Sequence, residues 1–243
     1  MKKNILITGA TSGIGFNFLK KNIKKNYVFY AVGRNFSNID KLINNKNDKK
    51  KIIKIKFDFN HNLKKLNLNK FPKFDYILVA AGLAKDNLIS NFDEKIFDEI
   101  IKVNLTQPAK LLGLLVKNNK IKTKASIVLI SSISGYKSTY NFHYSYSISK
   151  AGLIAMTKSL AVELSQKLIR VNAVAPGMVS TPLVDKLKAD DYFINIDKKK
   201  YLLGKRYAKS SEVSDVINFL LSSKSSFITG ETIVIDGGFT LTK

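Results

Sequence analysis

Seven short apolar runs rich in β-branched residues, at 4–8, 27–32, 52–57, 76–80, 126–130, 170–175 and 232–235, recur along the chain. Runs that stay apolar instead of alternating suit strands buried on both faces, which is the condition of a parallel sheet. Between most of them lie segments with helical spacing, clearest at 92–117, 145–167 and 211–221. A parallel neighbour is reached only through a crossover, so this alternation predicts right-handed βαβ units and an α/β, doubly wound sheet of about seven strands with helices on both faces. Two crossovers look curtailed: 35–51 is largely polar, and 61–73 allows only a short helix. Segment 180–208 is charged, poorly periodic and follows a Pro-Gly break, so it is expected to form a mobile substrate lid. No internal repeat or linker interrupts the 243 residues, and residues 1–243 are expected to form a single domain.

Composition removes several classes of function. The chain has no cysteine, which excludes disulfides, thiolate nucleophiles and zinc ribbons together. Its two histidines, His61 and His143, leave little material for a metal site, and none is expected. No apolar run reaches the roughly 18 to 20 residues that cross a bilayer. The apolar segment before Gly9 is too short for a secretory signal, so a cytoplasmic protein is expected. The formal charge of +23 invites a nucleic-acid reading, yet arginine occurs only at 34, 170 and 206. A lysine and asparagine bias filling solvated positions explains the charge without a nucleic-acid module, and no such partner is expected.

The first strand runs into TGATSGIG, residues 8–15, with glycines at 9, 13 and 15. Glycine there allows unusual backbone angles and the close approach of a pyrophosphate, which would rest on the following helix N-terminus. Farther on, HYSYSISKAG, residues 143–152, places two tyrosines near one lysine. Tyr146 and Lys150 stand at i and i+4 on one helix face, whereas Tyr144 has no lysine at that spacing. A second Y-x-x-x-K, Tyr201 to Lys205, lacks a serine strand upstream and has a glycine inside it; it is read as accidental.

These motifs, in this order, resemble the short-chain dehydrogenase/reductase family, whose fold is Rossmann-like. The likeness runs through T-G-x-x-x-G-x-G at 8–15, VNL at 103–105, ISSISG at 130–135, Y-x-x-x-K at 146–150, RVNAVAPGMVST at 170–181 and ITGETIVIDGG at 228–238. Within the family, GLAKDNL at 82–88 and the tail are most similar to 3-oxoacyl-acyl-carrier-protein reductases. Reduction of a carbonyl needs a donor aimed at the oxygen that gains charge, and a proton. A phenol titrates near 10, and an adjacent ammonium favours its phenolate, the task expected of Lys150. The resemblance implies that Tyr146 is the acid, Ser132 orients the carbonyl, Lys150 also bonds the nicotinamide ribose, and Asn104 holds a water linking Lys150 to solvent. Ser131 and Ser134 are the neighbours that could take the place of Ser132; the S-x-x-G alignment ending on Gly135 selects Ser132. Tyr144 is expected to wall the substrate pocket.

The same resemblance implies a nicotinamide dinucleotide bound by Gly9, Thr11, Ser12, Gly13, Ile14 and Gly15, by Ala81 and Gly82, by Tyr146 and Lys150, and by Pro176, Gly177, Val179 and Thr181. Asp58 resembles the residue that contacts adenine. After strand two the sequence reads YAVGRN, with Arg34 and no nearby carboxylate. Arginine accommodates a 2′-phosphate where an acid would bind a 2′-hydroxyl, so NADP(H) is favoured over NAD(H). One departure is VAAG at 79–82 in place of the family's N-N-A-G, which predicts altered hydrogen bonding behind the site. The first substrate to consider is a 3-oxoacyl thioester, with an acidic acyl carrier protein as a possible partner. A sugar, polyol or other secondary-metabolite carbonyl is the alternative. A catalytically silent nucleotide-binding protein is a third reading, against which intact Ser132, Tyr146 and Lys150 argue. The resemblance also implies a homo-oligomer, a tetramer or dimer, packed through 92–117 and 145–167.

Overall fold

The computed structural model describes residues 2–43, 46–137, 143–185 and 191–242. Its strands are β1 (Lys3–Thr8), β2 (Tyr27–Gly33), β3 (Ile52–Lys56), β4 (Phe74–Val79), β5 (Ile121–Ile130), β6 (Arg170–Pro176), β7 (Val179–Ser180), β8 (Ala208–Lys209) and β9 (Thr232–Ile235). Its helices are α1 (Gly13–Asn22), α2 (Ser37–Leu42), α3 (Lys46–Lys51), α4 (Glu94–Ile101), α5 (Gln107–Lys117), α6 (Tyr144–Glu163), α7 (Pro182–Asp185), α8 (Asp191–Lys199) and α9 (Ser210–Leu221). Among the described residues, seven strands form one sheet in the order β3-β2-β1-β4-β5-β6-β9, every pair parallel. The seven expected strands are all present. This is the α/β, Rossmann-like doubly wound architecture.

Alternate residues of each central strand go to opposite faces, and both faces are covered. Leu6, Ile77, Ile127 and Leu129 join Leu111, Leu112, Leu115 and Leu153 in one core. Ile5, Ile7, Leu78 and Val128 join Phe18, Leu19, Val213, Ile217 and Leu220 in the other. Two-sided burial explains why the strands read as unbroken apolar runs, with each fully buried Leu or Ile contributing about 1.5–3 kcal/mol.

The polar crossovers are curtailed as expected. The link from β2 to β3 carries the two six-residue helices α2 and α3. The link from β3 to β4 carries 3₁₀ turns at Leu63–Lys65 and Leu68–Lys70. Each turn is started by an asparagine, Asn62 or Asn67, whose side chain accepts from the N–H two residues on at 3.0 and 3.1 Å. Such local bonds compete with a longer helix. The expected helix at 92–117 is interrupted. It starts at Glu94, where the Asp93 side chain accepts from Lys95 and Ile96 N–H. It then passes through a π turn at Lys102–Thr106 before α5.

The ends of the expected lid at 180–208 are joined by a separate two-stranded parallel sheet, β7 with β8, Val179 opposite Ala208 and Ser180 opposite Lys209. Residues 186–190 of that segment lie outside the described residues. Among the described residues, no helix is long and apolar enough to cross a membrane.

Candidate functional site

Strand order reverses between β1 and β4, and the cleft opens at the carboxyl ends of these two strands, where doubly wound sheets bind ligands. Residues Gly9, Thr11, Ser12, Gly13 and Ile14 line it on one side, with Ala81 and Gly82 after β4. Gly9 turns at φ +65°, and a β-carbon on it would stand 2.7 Å from the Ala80 carbonyl oxygen. Gly15 does not line the cleft. It lies behind the loop, where a β-carbon would come within 2.4 Å of the Gly9 carbonyl oxygen. The two glycines let the loop fold flat on the start of α1, leaving the helix's first N–H groups facing the cleft. This cradle fits a pyrophosphate.

At the β2 end, Arg34 and Asp58 both line the cleft, and the Arg34 Nη1 lies 3.8 Å from the Asp58 carboxylate. The guanidinium side chain is 72% exposed, so this ion pair is weak and its arginine is open to a better anion. Asp58 also accepts from the Asn60 N–H at 2.9 Å, which fixes its carboxylate.

The other end is built by β5 and α6. Ser131 does not present its hydroxyl to the cleft, because that group donates to the Lys150 carbonyl at 2.8 Å. The Ser132 hydroxyl accepts from the Ser134 N–H at 3.1 Å and shares a hydrogen bond with the Tyr146 hydroxyl. Of the two adjacent serines after β5, Ser132 is therefore the one brought to Tyr146. A β-carbon on Gly135 would stand 2.4 Å from the Ala151 nitrogen, so the S-x-x-G glycine lets this turn seat on α6. Lys150 is buried, and its ammonium donates to the Ile130 carbonyl at 2.8 Å. Its Nζ lies 5.5 Å from the centre of the Tyr146 ring.

Asn104 sits inside the π turn, fully buried behind the cleft wall. π turns mark functional positions often enough to draw notice. The amide donates to the Leu83 carbonyl and Ser149 hydroxyl at 2.9 and 3.0 Å and accepts from the Leu83 N–H at 2.8 Å. A β-carbon on Gly82 would lie 3.4 Å from Asn104 Oδ1 and 3.5 Å from Lys150 Nζ, so this glycine keeps the two groups close. Where the family has asparagines, VAAG is braced by Thr8, whose hydroxyl oxygen accepts from both the Ala80 and Ala81 N–H at 3.1 Å. Pro176, Gly177, Val179 and Thr181 complete the wall beyond β6.

Two expectations change. Tyr144 is not among the cleft residues; it is 43% exposed and packs on Phe92 and Phe97, with ring centres 6.5 and 6.1 Å away. Residues two apart on a helix face away from each other. His143, three before Tyr146, lines the cleft in its place, buried with ring centres 5.4 Å apart. The second change is electrostatic. The Tyr146 hydroxyl is not drawn toward phenolate but pushed up to about 12, because burial outweighs the bond from Ser132. Burial also pushes Lys150 down to about 8, and its proton points at Ile130, so it gives the phenol little help. Sequence reasoning also missed Leu83, Ile133, Met178, Leu183 and Val184, apolar members of the wall whose positions no motif marks.

A family model described as enoyl-(acyl carrier protein) reductase matches residues 56–240. A 3-oxoacyl-[acyl-carrier-protein] reductase of Buchnera aphidicola is 32% identical, over 98% of this chain and 97% of that protein. An L-xylulose reductase of Caenorhabditis elegans is 35% identical, over 98% of this chain and 95% of that protein. Among solved structures, 4-hydroxyisoleucine dehydrogenase complexed with NADH superimposes with a TM-score of 0.88 at 29% identity, covering 100% of both chains. With the glycine cradle, the serine turn and the Tyr-Lys helix joined in one cleft of a parallel sheet, the chain belongs to the short-chain dehydrogenase/reductase family and is an oxidoreductase.

Proposed function

We propose that this protein is an NADP(H)-dependent reductase that converts a ketone to a secondary alcohol, with a 3-oxoacyl thioester as its substrate class. The observation that carries the proposal is the Tyr146–Ser132 hydrogen bond, with buried Lys150 beside it, in the same cleft as the glycine cradle. The dinucleotide would be held by the cradle at residues 9–15, by Arg34 and Asp58, by Ala81 and Gly82, and by Lys150 and residues 176–181; when bound it supplies a hydride. The chain supplies the rest. Ser132 and Tyr146 donate to the substrate oxygen, and Tyr146 gives it a proton. With its hydroxyl pushed up to about 12, Tyr146 carries its proton at neutral pH. Lys150 would return a proton to Tyr146 and be reprotonated from solvent through a water held at Asn104, the two groups both lying close to Gly82.

The substrate wall of Leu83, Ile133, Met178, Leu183 and Val184 favours an acyl chain over a polyol. The L-xylulose reductase relative keeps a sugar carbonyl as the second reading. An absorbance assay with NADPH against a 3-oxoacyl thioester and L-xylulose decides between them; faster turnover of the sugar would replace the first reading with the second. An acidic carrier protein as thioester donor fits the chain's charge of +23.

The cofactor choice rests on Arg34. Replacing it by alanine is expected to raise the NADPH dissociation constant at least about tenfold, the effect of one charge-assisted contact, and to leave NADH within about twofold. Fluorescence titration measures both, and tighter binding of NADH than NADPH by the unchanged protein would overturn the assignment.

A further inference from the structure

The rejected second motif, Tyr201 to Lys205, contains the largest fully buried side chain of the described residues. Tyr201 is 2% exposed, just past the end of α8, with its ring 4.9 Å from Phe239 and 5.6 Å from Tyr207. These aromatics form a small core with Ile133, the residue after Ser132. The Tyr201 hydroxyl is used. It accepts from the Met178 N–H at 2.9 Å. Gly177, next to Met178, leaves room for the ring; a β-carbon there would lie 3.1 Å from Tyr201 Cε1 and 3.2 Å from its hydroxyl.

Gly177 and Met178 line the cleft, and their placement along it is set by strand order. Arg34 and Asp58 lie at the β2–β3 side, the glycine cradle at β1, Ser132 at β5 and Gly177 at β6. A dinucleotide with its adenosine end at Arg34 therefore has its reactive ring beside residues 176–178. We propose that Tyr201 is a positioning residue: through the Met178 N–H it holds the Gly177–Met178 wall against the nicotinamide end of the cofactor, tying that wall to the return of the 180–208 excursion. The proposal rests on the nicotinamide reading of the cleft. Other anchors of the segment are backbone bonds, Gly177 N–H to the Ile235 carbonyl and Ala208 N–H to the Met178 carbonyl, both 3.0 Å. Tyr201 supplies a side-chain anchor.

The test is Tyr201→Phe, which keeps the ring and its packing but leaves the part-buried Met178 N–H without this acceptor. Binding of two probes is measured by calorimetry: NADPH, and 2′-phospho-ADP-ribose, which has every part of the cofactor except the nicotinamide. Weakening of NADPH by roughly three- to tenfold, the effect of one hydrogen bond, with the fragment unchanged, is the expected result. Equal affinity for NADPH before and after substitution overturns the proposal, and so does equal weakening of both probes, which would mean a general loss of structure. Tyr207→Phe, a change in the same aromatic core whose lost hydroxyl bonds Asp197 instead of the Met178 N–H, is expected to leave the ratio of the two affinities unchanged. If the unsubstituted protein binds the fragment but not NADPH any better, the positioning role fails alone; if it binds neither, the cofactor reading fails with it. Hydrogen exchange of the unsubstituted protein is a check independent of any variant: residues 177–179 and 201–203 should slow together on adding NADPH, and slowing of neither overturns the proposal.

Discussion

Tyr146→Phe is expected to lower turnover by at least two to four orders of magnitude while NADPH binding survives within about threefold. That range is the usual contribution of a positioned proton donor. The substitution removes one oxygen from a part-buried ring and leaves the ring against Lys150 and His143 in place. Tyr144→Phe is the matched control. Its ring packs with Phe92 and Phe97 outside the cleft, so near-normal activity is expected. The comparison is read in initial rates and cofactor titrations on the same samples. A Tyr144→Phe variant that loses activity while Tyr146→Phe keeps it would reassign the acid.

Lys150→Met is expected to abolish useful turnover and yet to stabilise the protein measured without cofactor. Burial pushes the Lys150 ammonium down to about 8 from an ordinary 10.5, so the folded state holds a charge it disfavours. That gap corresponds to a cost on the order of 3 kcal/mol at neutral pH. The sign follows from proton counts. Between about pH 8 and 10.5 the unfolded chain binds this proton and the folded one does not, so stability rises with pH across that window. Below pH 8 both states carry the proton and the cost is constant. The advantage of Lys150→Met should thus be largest at pH 7 and fade toward pH 10, as denaturant midpoints would show. A lower midpoint for Lys150→Met at pH 7 would mean that the lost bond to the Ile130 carbonyl outweighs the relief of the buried charge. A residue that destabilises the fold where it serves the chemistry is a common trade at functional sites.

The sheet was legible in the sequence because burial on both faces leaves a signal every residue of a strand must share. Ile5, Leu6 and Ile7 are all 0% exposed, although they point to two different cores. The Tyr146–Lys150 pair was legible because i and i+4 spacing on a helix fixes a shared face. Other features depend on groups that meet only in the folded chain. The pairing of Thr8 with the Ala80 and Ala81 N–H, the π turn around Asn104 and the reach of Tyr201 to Met178 carry no local pattern. Tyr144 was misplaced for a simpler reason: adjacency in sequence suggested one pocket, while helical geometry separates alternate residues. The direction of the Tyr146 shift was misjudged because desolvation, which no motif encodes, outweighs the hydrogen bond with Ser132.

The seam between β1 and β4 has a kinetic consequence. Ile5 lies opposite Tyr76 and Thr8 opposite Val79, so the central pairing joins segments some seventy residues apart. Loop closure over that distance must precede the contacts that reward it, which slows folding relative to helical chains of local contacts. The cradle at Gly9 and the bracing of Ala80 by Thr8 both straddle this seam. A chain still emerging from the ribosome, with β1 made and β4 not, has no dinucleotide site. Cofactor in the surroundings therefore acts on the finished fold alone, drawing the population of complete molecules forward by mass action.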